Sequence, residues 1–146
     1  MAPKTSDFIT EVAQSDMFEI ESSKLAAAKG QGDVRSFANQ MVTDHTKTTS
    51  ELKPLAQAAH VTPPTQMSGE QRSKLDKLKA VSAKDFAALY IESQVTAHKA
   101  AVSLFQRYTQ GGDNGPLKAW AGKTLPALQH HQDMAQGLQR VTTGSR

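Results

Sequence analysis

Three short runs rich in glycine or proline divide this chain of 146 residues into long segments with helical periodicity. They lie at Gly30–Gly32, Pro63–Pro64 and Gly111–Gly115. Glycine commonly ends a helix, and a pair of prolines cannot continue one. The segments between these breaks lack the strict alternation of apolar and polar residues that is typical of strands. The sequence therefore predicts an all-α protein.

The breaks and the helix-start signals together predict four long helices and one short one. Their bounds are about 6–29, 34–59, 69–80, 83–110 and 116–141. The start signals are an N-cap, two capping boxes and a first-turn proline: Asp33, Ser68 with Gln71, Ser82 with Asp85, and Pro116. Pro126 lies inside the last helix, where it predicts a kink. Residues 142–146 are predicted to form a loose tail.

The lengths of the connections indicate how the helices are arranged. The first two long helices are joined by a tight turn, and so are the last two, so each pair is expected to be antiparallel. A connection of about 20 residues, containing the short helix, joins the pairs and is long enough to cross over along a bundle. The predicted fold is a ferritin-like four-helix bundle with an extra short helix between the second and third long helices. At this length the chain is expected to be one domain, 1–146.

Composition excludes several classes of function. The net charge is +3, from 17 basic and 14 acidic residues, and the basic residues are scattered, so no nucleic acid is expected as a partner. The chain has no cysteine, which excludes thiolate sites and disulfides. No apolar run approaches the roughly 20 residues of a membrane span. No leader precedes the first helix, so in an exported protein the signal would have been removed.

Each of the last three long helices carries one histidine in the middle of its inward stripe. Inward positions in a bundle repeat every four and three residues alternately. Laid on the sequence, this pattern gives stripes that are apolar or small except at His45, His98 and His131. In the first helix the stripe is less regular. It places Glu19 on the inner face and Glu21 on the outer face.

These four residues are predicted to lie at one level. Glu19 and His45 are about equally far from the first turn, and His98 and His131 are about equally far from the glycine-rich turn, to within one helical turn of about 5 Å. A carboxylate and three imidazoles are costly to bury unpaired, and a divalent cation removes that cost. The sequence therefore predicts a single metal site, with Zn²⁺ as the favoured ion and Fe²⁺ or Mn²⁺ as alternatives.

The other polar residues of this region receive different roles. Asp44 and Gln94 are candidates to orient a histidine ring or a bound water, and Asp44 could also bind the metal directly. His130 faces another side of its helix and His60 lies in the proline-rich loop, so neither is predicted to be a ligand. A dinuclear iron centre is disfavoured because the chain contains no Glu-x-x-His pair.

Two other functions are compatible with the same residues. An Fe or Mn ion held by three histidines and a carboxylate could act on superoxide or peroxide. A hydrogen-bonded polar layer without metal would suit an envelope or stress-related structural or interaction protein. A metal-binding protein that is not an enzyme is the preferred hypothesis. The sequence leaves the physiological role and any protein partners open.

The segments around these residues resemble a family of bacterial proteins known as domain of unknown function 4142. They are Glu19–Ala26, Phe37–His45, Asp85–Tyr90, Gln94–His98 and Thr124–His131, within a stretch from about 7 to 138. Members of this family are often labelled exported or outer-membrane proteins. The resemblance implies a ferritin-like bundle and a periplasmic or otherwise exported location, and it implies no activity. The histidine of the last helix in the family matches His131. Ala87 departs from the family, which tends to have Asp there.

Overall fold

The computed structural model describes residues 1–144, which contain five α-helices and no strand. The helices are α1 (Thr5–Lys29), α2 (Gly32–Ala58), α3 (Gly69–Ala80), α4 (Ala83–Gly111) and α5 (Gly115–Gly144). The prediction of an all-α chain with four long helices and one short one is confirmed. In the described part of the chain, no helix has the length and apolar character needed to cross a membrane.

The helix starts agree with the predicted signals in part. Ser68 and Gln71 form the predicted capping box: the Gln71 backbone N–H donates to the Ser68 hydroxyl at 3.2 Å, and the Ser68 N–H donates to the Gln71 side chain at 3.0 Å. The predicted N-cap role of Asp33 is wrong. Gln31 is the N-cap of α2, and the helix begins at Gly32, whose φ of +54° suits a glycine. Asp33 instead lies in the first turn, where its charge complements the helix dipole.

Two further expectations at helix ends need correction. Ser82 is the N-cap of α4, but its hydroxyl donates to the Asp85 carboxylate at 3.2 Å and caps no backbone N–H, so the second capping box does not form. The loose tail is wrong for residues 142–144, because residues 138–143 contain no glycine or proline and α5 continues to Gly144. Residues 145–146 of that prediction lie outside the described residues. The helix also continues through Pro126.

The first and fourth helices are antiparallel neighbours. At the start of α1, the Thr5 hydroxyl is 2.7 Å from the Tyr108 hydroxyl near the end of α4. Near the end of α1, the Ser23 hydroxyl is 2.7 Å from the Tyr90 hydroxyl in the first turns of α4. The order of contacts is therefore reversed along the two helices. The short helix α3 packs against both of them.

The same reversal relates α2 and α5. Late in α2, Glu51 accepts a hydrogen bond of 3.1 Å from the indole N–H of Trp120, which lies early in α5. Earlier in α2, Asp44 contacts His131, which lies later in α5. Since α1 also packs on α2 and α4 on α5, each long helix contacts two others, and short connections make these last two pairs antiparallel as well.

Two apolar clusters fill the interior, one toward each end of the long helices. The first contains large aromatic side chains, among them Phe8, Phe105, Tyr108 and Trp120. The second lies around Phe37, Met41, Phe86, Tyr90 and Ile91. In every long helix the residues of the two clusters are separated along the chain by buried polar residues. The fold thus places a polar layer at mid-height, between two regions that exclude water.

Candidate metal centre

The polar layer contains every ligand that the sequence predicts. Glu19, His45, His98 and His131 are buried, with exposed fractions of 1%, 3%, 1% and 3%. Gln94 is fully buried beside them. Asp44 lies at the edge of the layer, with 36% of its side chain exposed. Each of the four long helices therefore contributes at least one residue to this layer.

The three histidines form a nearly equilateral triangle. Their ring centroids are 5.7 Å apart for His45 and His98, 5.6 Å for His45 and His131, and 5.5 Å for His98 and His131. One ring nitrogen of each lies within 4.8 Å of one ring nitrogen of both others. Three imidazoles from three different helices thus converge on one point in the interior.

The ring of His45 is held by a carboxylate that the sequence analysis missed. The Nδ1 atom of His45 is 2.8 Å from an Asp16 oxygen. The other Asp16 oxygen accepts hydrogen bonds from the hydroxyls of Thr48 at 2.9 Å and Thr49 at 3.1 Å. Asp16 is only 6% exposed. Its carboxylate is therefore fully engaged in fixing the orientation of one imidazole.

The periodicity contained a signal for Asp16. The inward pattern applied to the first helix selected Ser15, which is its neighbour. Asp16, however, follows Val12 by four residues and precedes Glu19 by three, and residues at these spacings share one face of a helix. A wider inward face would have included it.

The other two rings are fixed in the same way. Nδ1 of His98 donates to the backbone carbonyl of Gln94 at 2.9 Å. Nε2 of His131 is 2.8 Å from an Asp44 carboxylate oxygen. Asp44 therefore orients a histidine, one of the two roles predicted for it, and Gln94 orients His98 through its backbone carbonyl. Such partners fix the tautomer and ring orientation of metal-binding histidines.

The remaining nitrogen of each ring has no hydrogen-bond partner in the protein. These atoms are Nε2 of His45, Nε2 of His98 and Nδ1 of His131, and all are buried. Both carboxylate oxygens of Glu19 and the side-chain oxygen of Gln94 are also buried without a hydrogen-bond partner. In the described part of the chain, the Thr109 hydroxyl is the one other buried side-chain atom of this kind. Buried polar atoms are normally paired, so this concentration marks the layer as a candidate binding site.

Burial sets the protonation of the layer. Burial, together with the charge of His45, lowers the pKa of His98 to about 3. Burial also lowers the pKa of His131, although the hydrogen bond to Asp44 opposes the effect. Both rings are therefore neutral near pH 7 and carry a lone pair on one nitrogen.

Two groups of the layer keep protons more readily. Burial raises the pKa of Glu19 to about 7, with His45 acting in the opposite direction. For His45, burial favours the neutral ring, but the hydrogen bond to Asp16 and the charge of Glu19 outweigh it and raise the pKa. A cation bound in this layer would have to displace these protons.

The donor set fits one metal ion. Three imidazoles suit Zn²⁺, Fe²⁺ and Mn²⁺, and a tetrahedral Zn²⁺ with Zn–N bonds of about 2.0–2.1 Å needs nitrogens about 3.4 Å apart. From separations of at most 4.8 Å, each ring would move by less than about 1 Å to reach that geometry. Glu19 shares the layer but is not a member of this close group of atoms.

Replacing Asp16 by asparagine is expected to weaken metal binding while leaving the ligands in place. The amide retains the size of the side chain but removes the charge that supports the His45 N–H. Loss of such a partner typically costs 10–100-fold in affinity, and about that loss of Zn²⁺ affinity is expected here. Calorimetric titration measures it. The matched control is Asp76→Asn on the exposed face of α3. Equal affinity of Asp16→Asn and the control would contradict this role.

The fold and the triad define a helical protein with a candidate metal centre, and its family follows from comparison with known proteins. Residues 1–138 match the family model described as Domain of unknown function (DUF4142). The match covers nearly the whole chain, and the chain belongs to this family. A search of the curated proteins and a search of the solved structures each found no match.

Proposed function

We propose that this protein binds a single divalent metal ion through Nε2 of His45, Nε2 of His98 and Nδ1 of His131, with the Glu19 carboxylate as the fourth ligand. One observation carries this proposal. Each imidazole is fixed through one nitrogen, and its other nitrogen is buried and unpartnered. One ring nitrogen of each histidine also lies within 4.8 Å of one ring nitrogen of both others. Glu19 is assigned because, among the described residues, it is the buried carboxylate whose two oxygens have no hydrogen-bond partner.

Zn²⁺ is the ion that we expect. Three nitrogen donors and one oxygen donor complete a four-coordinate zinc shell, and Fe²⁺ or Mn²⁺ would fit with added water. An ion at this position would supply positive charge and Lewis acidity in the interior, and with Glu19 as a ligand it would link all four long helices. A dinuclear centre is disfavoured because Asp16 and Asp44 are already engaged by histidines, which leaves Glu19 alone among the carboxylates described above.

The proposed architecture is a ferritin-like four-helix bundle. Its support is the pairing of α1 with α2 and of α4 with α5, and the antiparallel packing of α1 on α4 and of α2 on α5. This arrangement makes α2 and α4 parallel, and the connection containing α3 must run the length of the bundle. We also propose an exported location, supported by the family resemblance, which cell fractionation with an antibody against the protein would test.

A polar layer with a purely structural role is the competing function. Such a layer is expected to satisfy its buried groups internally, because an unpaired buried polar atom costs about 1–3 kcal/mol. Here the free nitrogens and the Glu19 oxygens have no internal partner. This observation favours a bound ion over a self-contained hydrogen-bond network.

The affinity for Zn²⁺ is expected to fall steeply with acidification. Below neutral pH the ion must displace a proton from Glu19, whose pKa is about 7, and from His45, whose pKa is raised. Two displaced protons reduce the apparent affinity by up to about 100-fold per pH unit. Calorimetry near pH 7.5 and pH 5.5, in two buffers of different ionisation enthalpy, gives both the affinity and the number of protons released. Equal affinities at both pH values would contradict ligation by these groups.

A further inference from the structure

Gln94 connects the helices that carry two of the proposed ligands, Glu19 on α1 and His98 on α4. Its side chain is fully buried, and its amide Nε2 donates to the Ser22 hydroxyl of α1 at 3.5 Å. Ser22 follows Glu19 by three residues, so the two side chains share one face of α1. The Ser22 hydroxyl donates in turn to the Glu19 backbone carbonyl at 3.4 Å. The Gln94 side chain therefore reaches α1 within one helical turn of Glu19.

The same residue is fixed to His98 through its backbone. The Gln94 carbonyl oxygen accepts the hydrogen bond of 2.9 Å from Nδ1 of His98. Residues four apart lie on the same face of a helix, so both side chains face the polar layer, where both are buried. Gln94 thus has a fixed position relative to one proposed ligand, while its side chain is directed toward the helix that carries another.

The Gln94 side chain also acts on the Glu19 carboxyl group. Burial raises the pKa of Glu19 to about 7, and hydrogen bonding by the Gln94 side chain is one of the effects that oppose this rise. Neither Glu19 oxygen accepts a hydrogen bond of 3.5 Å or less. The contact between the two side chains is therefore long in this structure, and a small rotation of either side chain would close it.

A metal ion on Glu19 would create a need that the Gln94 amide can meet. A carboxylate that binds an ion through one oxygen keeps a second oxygen, and in a buried layer that oxygen needs a hydrogen-bond donor. Each histidine of the triad uses one nitrogen for a protein partner, and its other nitrogen is assigned to the ion. The Gln94 amide carries two N–H groups, and the bond to Ser22 uses one of them. The second is available for Glu19.

We infer that Gln94 is a positioning residue of the metal centre: its second amide N–H donates to the Glu19 oxygen that does not bind the ion, while its backbone carbonyl holds His98. The inference rests on the proposed function, because it requires Glu19 as a ligand. One residue thereby sets the positions of two ligands on different helices. It also leaves Glu19 a single free oxygen, as a four-coordinate shell with three imidazoles requires.

A double-mutant cycle of Zn²⁺ affinities tests this role. Gln94→Leu removes the amide but keeps the backbone carbonyl, and it is expected to weaken Zn²⁺ binding by about 10–100-fold, the usual effect of losing such a partner. In Glu19→Ala, which has no carboxylate to position, the same substitution is expected to change the affinity by less than about twofold. Competition with a chromophoric chelator measures the affinities. The control is Gln106→Leu, at an exposed position of α4, which is expected to bind Zn²⁺ like the wild type.

The outcomes separate this inference from the proposed function. If Glu19→Ala weakens Zn²⁺ binding and Gln94→Leu has the same effect with and without the carboxylate, Glu19 remains a ligand and the inference is overturned. An unchanged affinity in Gln94→Leu would also overturn the inference alone. If Glu19→Ala binds Zn²⁺ like the wild type, the assignment of Glu19 fails and the inference fails with it.

Ser22→Ala keeps the test decisive if Gln94→Leu does not fold. It removes the hydroxyl that holds the Gln94 amide, and it is expected to weaken Zn²⁺ binding by about 10-fold, but by less than about twofold in Glu19→Ala. The matched control is Ser23→Ala, which removes a hydroxyl that contacts Tyr90 instead and is expected to leave the affinity unchanged. Equal losses in Ser22→Ala and Ser23→Ala would contradict the role of Gln94.

Discussion

Replacing His98 by leucine is expected to weaken Zn²⁺ binding by about 100–1000-fold. Structural zinc sites with four ligands bind with about 10–16 kcal/mol, so the loss of one ligand corresponds to roughly 3–4 kcal/mol. His98 is the clearest ligand to remove because it is almost fully buried and its pKa of about 3 keeps it neutral. Competition with a chromophoric chelator measures the change in affinity.

The same variant is expected to fold well without metal. In the wild type, the pKa of His98 is depressed in the folded state, so its contribution to stability is present above about pH 6.5 and is lost as the pH falls toward 3. Leucine has no such titration, and metal-free His98→Leu should resist acid better than the metal-free wild type. The control is His130→Leu, at an exposed position. A comparable loss of Zn²⁺ affinity in the control would contradict the assignment.

Replacing Glu19 by glutamine is expected to have opposite effects on the metal-free and the metal-bound protein. In the wild type, burial raises the folded-state pKa of Glu19 to about 7, above the ordinary value of 4.5 for this carboxyl group. Between these values the unfolded chain releases its proton first, so the stability of the metal-free protein falls as the pH rises through this window. The loss amounts to about 3 kcal/mol by pH 8. Glutamine does not ionise, so metal-free Glu19→Gln does not lose this stability as the pH rises.

Urea unfolding in the presence of a chelator, at about pH 4.5, 6 and 8, measures this difference. The stability of Glu19→Gln relative to the wild type should rise with pH, while its Zn²⁺ affinity should fall by about 100-fold if the carboxylate is a ligand. Glu21→Gln, at an exposed position where the carboxylate lies 3.7 Å from the Lys24 ammonium, is the control. A pH-independent difference would refute the burial argument, and an unchanged Zn²⁺ affinity would remove Glu19 from the ligands.

Much of the fold follows from local features of the sequence. Glycine and proline breaks located the helices, and the inward periodicity selected His45, His98 and His131, which the structure brings together. Their common level could be predicted because, in two antiparallel helices joined by a tight turn, residues equally far from the turn lie side by side. Local rules of this kind are independent of how the side chains finally pack.

Features that depend on packing could not be predicted in the same way. Asp16 gains its role only when α2 presents His45, Thr48 and Thr49 to it. The unpartnered ring nitrogen is Nε2 in His45 and His98 but Nδ1 in His131. Which nitrogen remains free depends on the position of the hydrogen-bond partner that packing places beside each ring. The choice between two roles for Asp44 was likewise decided by its contact with His131.

The central claim is that three imidazoles converge to hold one ion, and metal content measures it most directly. The protein is dialysed against excess Zn²⁺ near pH 7.5, where His98 and His131 are neutral, and then against metal-free buffer, and its zinc is determined by elemental analysis. One zinc ion per chain is expected for the wild type. None above background is expected for the triple variant His45→Leu, His98→Leu and His131→Leu. A zinc-free wild type, or equal zinc in both proteins, would contradict the account.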